Sequence, residues 1–114
     1  MNGLKDFIWA EGLSCGVTVC DLDANILYQN AKARKIFSSY GDLTGKNIKN
    51  CHTGRSWEII TSMIQNGTSN SYTIEKNGVK KLIHQTPWYS EGKIAGLVEF
   101  SIELPQDLPH YVRD

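Results

Sequence analysis

The dipeptide Asn77-Gly78 constrains the fold of this chain more than any other feature of its sequence. It separates two runs of strand-forming residues, 71–76 and 79–89, and both of its residues suit the positive φ angles of a two-residue hairpin turn. A third run, 94–104, follows the turn-forming Glu91-Gly92-Lys93 and alternates apolar with polar side chains. Because strands joined by short hairpins are antiparallel, the C-terminal half of the chain predicts an antiparallel sheet.

A second hairpin is predicted near the N-terminus. The runs 16–21 and 26–29 have the composition of strands, and Asp23-Ala24-Asn25 between them predicts a tight turn. In that turn we expect Asn25 to adopt the left-handed conformation. Asn30 follows the second run and stands where the N-cap of a helix over 31–37 would be.

Helical spacing indicates two further helices. Leu4, Phe7 and Ile8 fall at i, i+3 and i+4, which predicts a short lead-in helix that ends by Gly12. A longer helix is predicted over 56–65, followed by the helix stop Asn66-Gly67. The residues that share one face of the longer helix are Trp57, Ile60 and Ile64.

These elements predict one domain of the α+β class. A chain of 114 residues is long enough for one domain and too short for two. The order of elements favours a five-stranded antiparallel sheet with helices packed on one face. We expect a lead-in helix over 1–13, the sheet domain over 14–104 and a tail over 105–114.

Charge and composition exclude several classes of function. Twelve basic and twelve acidic residues cancel, so no electrostatic footprint predicts binding to nucleic acid. No stretch resembles a signal peptide or approaches the roughly 20 apolar residues of a membrane span. The sequence therefore predicts a cytoplasmic protein without membrane contact, in which Cys15, Cys20 and Cys51 are reduced thiols.

Two strings in the sequence resemble the PAS family of sensory domains. Residues 17–30 resemble the first PAS hairpin, with an acid after the first strand and an asparagine that caps the next helix. Residues 85–96 resemble the proline of the fourth PAS strand, the glycine turn and the start of the last strand. The resemblance implies a PAS-like fold, a cavity that holds a ligand, and frequent dimerisation.

A narrower resemblance concerns the segment 45–52, which contains Cys51-His52. It is similar to a segment in PAS domains of uncharacterised bacterial and archaeal proteins that also carry hemerythrin-like domains. Those domains often continue with prolines after the histidine, whereas this chain has Thr53-Gly54-Arg55-Ser56. The role of the segment therefore does not transfer directly to this chain.

Cys51-His52 is the one local string with the residue types for chemistry. A neutral imidazole at His52 would allow axial ligation of haem iron beside the cavity. In the alternative interpretation, which we favour, His52 or Thr53 helps to cap the following helix and Cys51 packs inward. LOV domains, the flavin-binding PAS subclass, follow their reactive cysteine with a different string, and the flavin-binding positions would fall near Lys81 and Glu99. The sequence therefore argues against flavin and leaves the cofactor undetermined.

No pattern in the sequence predicts an enzyme. No serine or cysteine stands in a nucleophile motif, and no pair of carboxylates is placed for acid–base work. His84 lies within a predicted strand, where a histidine usually has its hydrogen bonds satisfied by the sheet. No group of residues is spaced as a metal site.

The leading hypothesis is a signal-sensing module with a small ligand or cofactor between the sheet and the helical region 40–65. A ligand-free module for dimerisation and protein contact is the alternative. We expect a homodimer through the sheet face and the N-terminal helix, where Trp9, Phe7 and Ile8 would cover the sheet or a second subunit. Pro105 and Pro109 break any continuous signalling helix, so the effector would be a separate protein or part of a longer chain. The candidate cavity residues are Tyr28, Cys51, His52, Trp57, Ile60 and Phe100.

Overall fold

Five antiparallel strands form the central sheet of the computed structural model, which describes residues 7–47 and 55–114. Their order across the sheet is β2-β1-β5-β4-β3, so the first hairpin lies beside the last strand. The strands are β1 (Gly16–Asp21), β2 (Ile26–Gln29), β3 (Asn70–Lys76), β4 (Val79–Ser90) and β5 (Lys93–Leu104). The predicted five-stranded antiparallel α+β fold is confirmed.

Three α-helices and one 3-10 turn complete the described part of the chain. They are α1 (Ile8–Glu11), α2 (Ala31–Ile36), the 3-10 turn Ser38–Tyr40 and α3 (Arg55–Asn66). The ends of α2 and α3 fall within one residue of the predicted ends, and Asn30 caps α2 as predicted. None of the helices that the structure describes is long and apolar enough to cross a membrane.

The two predicted hairpin turns are present, and one differs in detail. Asn77 and Gly78 have φ angles of 53° and 79°, as the turn between β3 and β4 requires. In the first hairpin the left-handed residue is Ala24, with φ of 65°, and the assignment of this conformation to Asn25 was wrong. The Asp21 carboxylate accepts hydrogen bonds from the backbone N–H of Asn25 and from its side chain, which holds Asn25 in place and leaves Ala24 to make the turn.

The sheet has two differently covered faces. On one face, which we call the α1 face, Val17, Val19 and Tyr28 pack with Ala10 of α1. On the other, which we call the α3 face, Cys20 and Leu97 pack with Ile60 and Met63 of α3. Because side chains alternate along a strand, this division decides which residues can line a cavity under the helices.

Phe7 and Ala10 make the contact between the N-terminal segment and the sheet. The Phe7 ring stacks on Tyr28 with 4.5 Å between ring centroids, and Ala10 is fully buried. Ile8 and Trp9 are 75% and 63% exposed, so they do not cover the sheet as the sequence suggested. Their contact with a second subunit stays a prediction.

Candidate functional site

A pocket of about 660 Å³ lies on the α3 face of the sheet. Phe37, Tyr40 and Leu43, which lie just before, in and after the 3-10 turn, form one wall, and Ile60 of α3 contributes to another. All five strands provide the floor, mainly through Thr18, Cys20, Ile26, Gln29, Tyr72, Ile74, Ile83, Gln85, Leu97 and Glu99. The described pocket is thus an apolar cavity with a few polar groups, which is the usual composition of a small-molecule site.

The structure brings only part of the predicted cavity set to this pocket. Ile60 lines it, and Trp57 packs against the neighbouring cluster on α3. Tyr28 and Phe100 lie on the α1 face, so their assignment to the cavity under the helices was wrong. Cys51 and His52 lie outside the described residues.

A shift of one residue explains both errors. Phe100 pairs with Val17 on β1 and Tyr28 pairs with Val19, and both partners point to the α1 face. The adjacent residues Glu99 and Gln29 therefore face the pocket, because successive side chains point to opposite faces. The alternation in β5 was visible in the sequence, but the sequence did not show which of the two faces α3 covers.

A row of polar side chains crosses the pocket floor. Register pairs connect one residue from every strand into a single line on the α3 face. In spatial order the row is Gln29, Thr18, Glu99, Gln85 and Asn70. We call these five residues the polar row.

Side-chain hydrogen bonds join three of the four neighbouring pairs in the polar row. Gln29 Nε2 donates to Thr18 Oγ1 at 3.2 Å, at the β2 end of the row. Asn70 Nδ2 donates to Gln85 Oε1 at 3.1 Å, and Gln85 Nε2 donates to Glu99 Oε1 at 2.8 Å. These bonds hold polar groups in fixed positions on an otherwise apolar floor, where they can orient a ligand.

Two titratable side chains beside the row are biased toward their neutral forms. Burial raises the pKa of the Cys20 thiol, and the nearby negative charges of Asp21 and Glu99 raise it further. Burial also raises the pKa of Tyr72, and the charge of Glu99 adds to the rise. The Cys20 thiol is therefore a weak nucleophile, and its position predicts packing instead of covalent chemistry.

Gln29 connects the pocket with the N-terminal helix. Its side chain faces the pocket, whereas its backbone carbonyl accepts a hydrogen bond of 2.6 Å from Arg34 Nη1. The Arg34 guanidinium also forms an ion pair with Glu11 in α1, and Tyr28 Oη donates to Glu11 Oε1 at 2.6 Å. We call Glu11, Tyr28 and Arg34 the N-terminal anchor.

We predict that acid releases α1 before the sheet unfolds. The hydrogen bonds from Arg34 and Tyr28 hold the pKa of Glu11 below its usual range. A lowered pKa in the folded state adds stability above the ordinary carboxyl pKa, and that stability is lost as pH falls through the lowered value. The protection of the Ala10 amide against exchange, measured relative to the intrinsic exchange rate at each pH, should therefore fall in acid before protection in β5 does, since the Ala10 N–H donates to Phe7 O.

The variant Glu11→Gln is the control for this prediction, since it removes the titrating group. Its Ala10 amide should be less protected at neutral pH, and that protection should lose most of its dependence on acid. Equal acid dependence in both proteins would contradict the assignment. Raising the pH should leave the contact between α1 and the sheet intact until strongly basic pH, because burial and the Glu11 hydrogen bond raise the pKa of Tyr28 to about 12.

His84, which lies in β4, forms a hydrogen bond with a side chain of the neighbouring strand. His84 Nδ1 lies 2.6 Å from Ser71 Oγ on the adjacent strand β3. His84 pairs with Phe100 in the register of β4 and β5, so it belongs to the α1 face and not to the pocket. Within residues 7–47 and 55–114, no three His, Cys, Asp or Glu side chains are grouped to hold a metal ion.

Several solved structures share this architecture. The Aer2 receptor from Vibrio cholerae, a dual PAS-heme oxygen sensor, matches with a TM-score of 0.63 and 16% identity, over 83% of this chain and 98% of that chain. The PAS domain of the histidine kinase ThkA matches with a TM-score of 0.62 and 15% identity, over 79% and 99% of the two chains. VqmA bound to DPO, a protein of Vibrio cholerae, matches with a TM-score of 0.65 and 19% identity, over 90% of this chain and 58% of that chain.

These likenesses show that the chain has a PAS fold. No family model and no curated protein matches the sequence. At identities of 15–19% the solved structures carry information about the fold alone. The narrower resemblance to PAS domains of proteins with hemerythrin-like domains stays a prediction.

Proposed function

We propose that this domain is a sensory module of signal transduction, in which a small molecule bound in the pocket on the α3 face changes the contacts of α1. The observation that carries the proposal is the polar row on the floor of a 660 Å³ apolar pocket. An apolar cavity with a few oriented polar groups is suited to bind and orient a small organic molecule. The pocket offers no arrangement of a nucleophile with a base among its described residues, so we propose binding without catalysis.

The route from the pocket to α1 passes through Gln29. A ligand that displaces the Gln29 side chain from Thr18 would move the β2 backbone, and with it the carbonyl that Arg34 binds. Arg34 is also the ion-pair partner of Glu11, so the same movement would weaken the N-terminal anchor. A ligand shifts such an equilibrium only as far as it binds the two arrangements differently.

The comparisons are consistent with this reading and leave the ligand undefined. Aer2 is a PAS-heme oxygen sensor, and VqmA was solved with DPO bound. No histidine lines the described part of the pocket in this chain, so the haem hypothesis depends on His52, which lies outside the described residues. We therefore propose an organic ligand, with haem as an outcome that its absorption spectrum would reveal.

Native mass spectrometry of the purified protein tests the proposal. We expect a retained small molecule on the wild-type protein and its loss from Thr18→Phe, because a ring at position 18 would extend from the floor into the pocket. The matched control is Thr73→Phe, since Thr73 is exposed and pairs with Leu82 on the α1 face. The control protein should keep the molecule.

Two results would count against the proposal. Retention of the molecule by Thr18→Phe would place its site elsewhere on the protein. A wild-type protein that is empty as purified, and that acquires no molecule when incubated with a cell extract, would favour the ligand-free dimerisation module.

The second candidate function is self-association through α1. Ile8 and Trp9 are exposed in this helix, whereas Ala10 is buried, and a second copy of the chain is the occupant that we propose. VqmA, whose fold is similar, has been described as a dimer. The same native mass spectrum reports the subunit count, so a monomer at micromolar concentration would contradict this candidate.

A further inference from the structure

We infer that the pocket on the α3 face binds a small ligand with a protonated nitrogen, such as an amidine or an alkylamine that also carries an aromatic ring, and that Glu99 is its partner. The inference rests on the proposed function and specifies the class of ligand. Three features of the described residues support it. They are a carboxylate without an ion-pair partner among these residues, the direction of the hydrogen bonds around it, and aromatic walls.

Glu99 is the one charged side chain among the described residues that line the pocket. The ion pairs in the part of the chain that the structure describes are Lys32–Glu103 and Arg34–Glu11, so neither neutralises it. A carboxylate that is partly withdrawn from water is stabilised when a cation with matching donors approaches it. Residues 7–47 and 55–114 do not supply that cation, and we propose that the ligand supplies it.

The hydrogen bonds of the polar row leave acceptors for the ligand. An ionised carboxylate only accepts hydrogen bonds, so Glu99 determines that the amide nitrogen of Gln85 faces it. The amide oxygen of Gln85 is then directed to Asn70, which donates to it. Gln85 is thereby occupied at both ends, whereas Glu99 keeps lone pairs on its second oxygen. A ligand at this position must donate.

Aromatic rings stand at the sides of the pocket. Phe37 and Tyr40 lie 6.4 Å apart between ring centroids on one wall, and Tyr72 lies on β3 at the floor. The faces of such rings attract cations and stack with aromatic ligands. An anionic ligand would instead place a second negative charge near Glu99, with no described lining residue to compensate for it.

Three molecules of similar shape and different charge test the inference: benzamidine, benzamide and benzoate. We expect benzamidine to bind the wild-type domain at least about tenfold more tightly than benzamide, a ratio that one charge-assisted hydrogen bond supports. We expect benzoate to bind most weakly. Dissociation constants come from titrations followed by amide chemical shifts, which also show whether the shifts map to Gln85, Glu99 and Tyr72.

The variant Glu99→Gln keeps the shape of the side chain and removes its charge. It should reduce the preference for benzamidine over benzamide to less than about twofold, whereas the control Glu75→Gln, on the exposed part of β3, should leave the preference unchanged. If Glu99→Gln fails to fold, the order of the three affinities in the wild-type protein still decides the matter.

Equal affinities for the three molecules, or affinities that Glu99→Gln leaves unchanged, would overturn the ligand class while leaving the pocket as a binding site. Absence of benzamidine binding would also overturn it. The proposed function fails by a different result, namely an empty wild-type protein or retention of its molecule by Thr18→Phe.

Discussion

Replacement of Asn30 by alanine is expected to lower the free energy of unfolding by about 3–5 kcal/mol, a large part of the usual stability of a small domain. Asn30 is fully buried, and its side chain makes hydrogen bonds with four backbone groups. Its Oδ1 accepts from the N–H groups of Val17 and Ala33, and its Nδ2 donates to the carbonyls of Ala10 and Cys15. Alanine would leave these groups without their partner around a buried position, which costs more than the loss of an exposed helix cap.

Urea unfolding followed by far-ultraviolet circular dichroism measures this change. The control is Asn66→Ala at the end of α3, where the side chain makes an exposed hydrogen bond to Ser62, and a change of less than about 0.5 kcal/mol is expected there. An effect of Asn30→Ala as small as that of the control would show that water replaces the lost bonds.

Asn30→Asp separates the two halves of the interaction, since it keeps the acceptors but sets a carboxylate against the carbonyls of Ala10 and Cys15. It should loosen α1 in particular.

The second large effect is expected for Gly96→Ala, which should destabilise the domain by about 3 kcal/mol. Gly96 lies on β5 opposite Trp88, where the indole and the β1 backbone approach it closely. A methyl group on its Cα would come within 1.9 Å of Cys20 O and 2.6 Å of Trp88 Nε1. Trp88 Nε1 donates to that same carbonyl at 3.0 Å, so the methyl group would force apart both the strands and the hydrogen bond.

Gly12→Ala is the matched control, because, apart from Gly12 and its two chain neighbours, no atom lies within 4 Å of the position that its methyl group would take. Gly12 also has φ of −98°, a conformation that alanine adopts without strain. Thermal unfolding with near-ultraviolet circular dichroism reports stability together with the packing of the aromatic side chains, Trp88 among them. A Gly96→Ala protein as stable as Gly12→Ala would show that β1 and β5 can separate at this point at little cost.

Local patterns in the sequence were sufficient to predict most elements of the fold. Asn77-Gly78 determines a tight hairpin because both residues accept positive φ, and Asn30 caps α2 because its side chain accepts from the Ala33 N–H. Glycine and proline signals and the period of apolar residues act over a few residues, so they can be read without tertiary information. The other bonds of Asn30, to Ala10, Cys15 and Val17, join distant segments and had no sequence signal.

The candidate site was less predictable because it depends on which face of the sheet each helix covers. Ile60, which was predicted from the apolar face of α3, lines the pocket. Phe100 and Tyr28 were assigned to the wrong face, since large aromatic residues are equally suited to a cavity and to the contact with α1. Gln29, Thr18 and Gln85 were missed as pocket residues. The strings 17–30 and 85–96 that contain them indicate the fold and not the pocket, and only strand register makes these residues neighbours.

The sequence by itself therefore determined the hairpins, the antiparallel sheet that they require and the helix caps. The signal for Asn77-Gly78 is confined to the turn and its two strands, so no distant residue was needed to interpret it. The tertiary structure decided the order β2-β1-β5-β4-β3 and placed Glu99 and not Phe100 on the floor of the pocket. A strand alternates with a period of two whichever face is covered, and only the packing of α1 and α3 on opposite faces distinguishes the two alternatives.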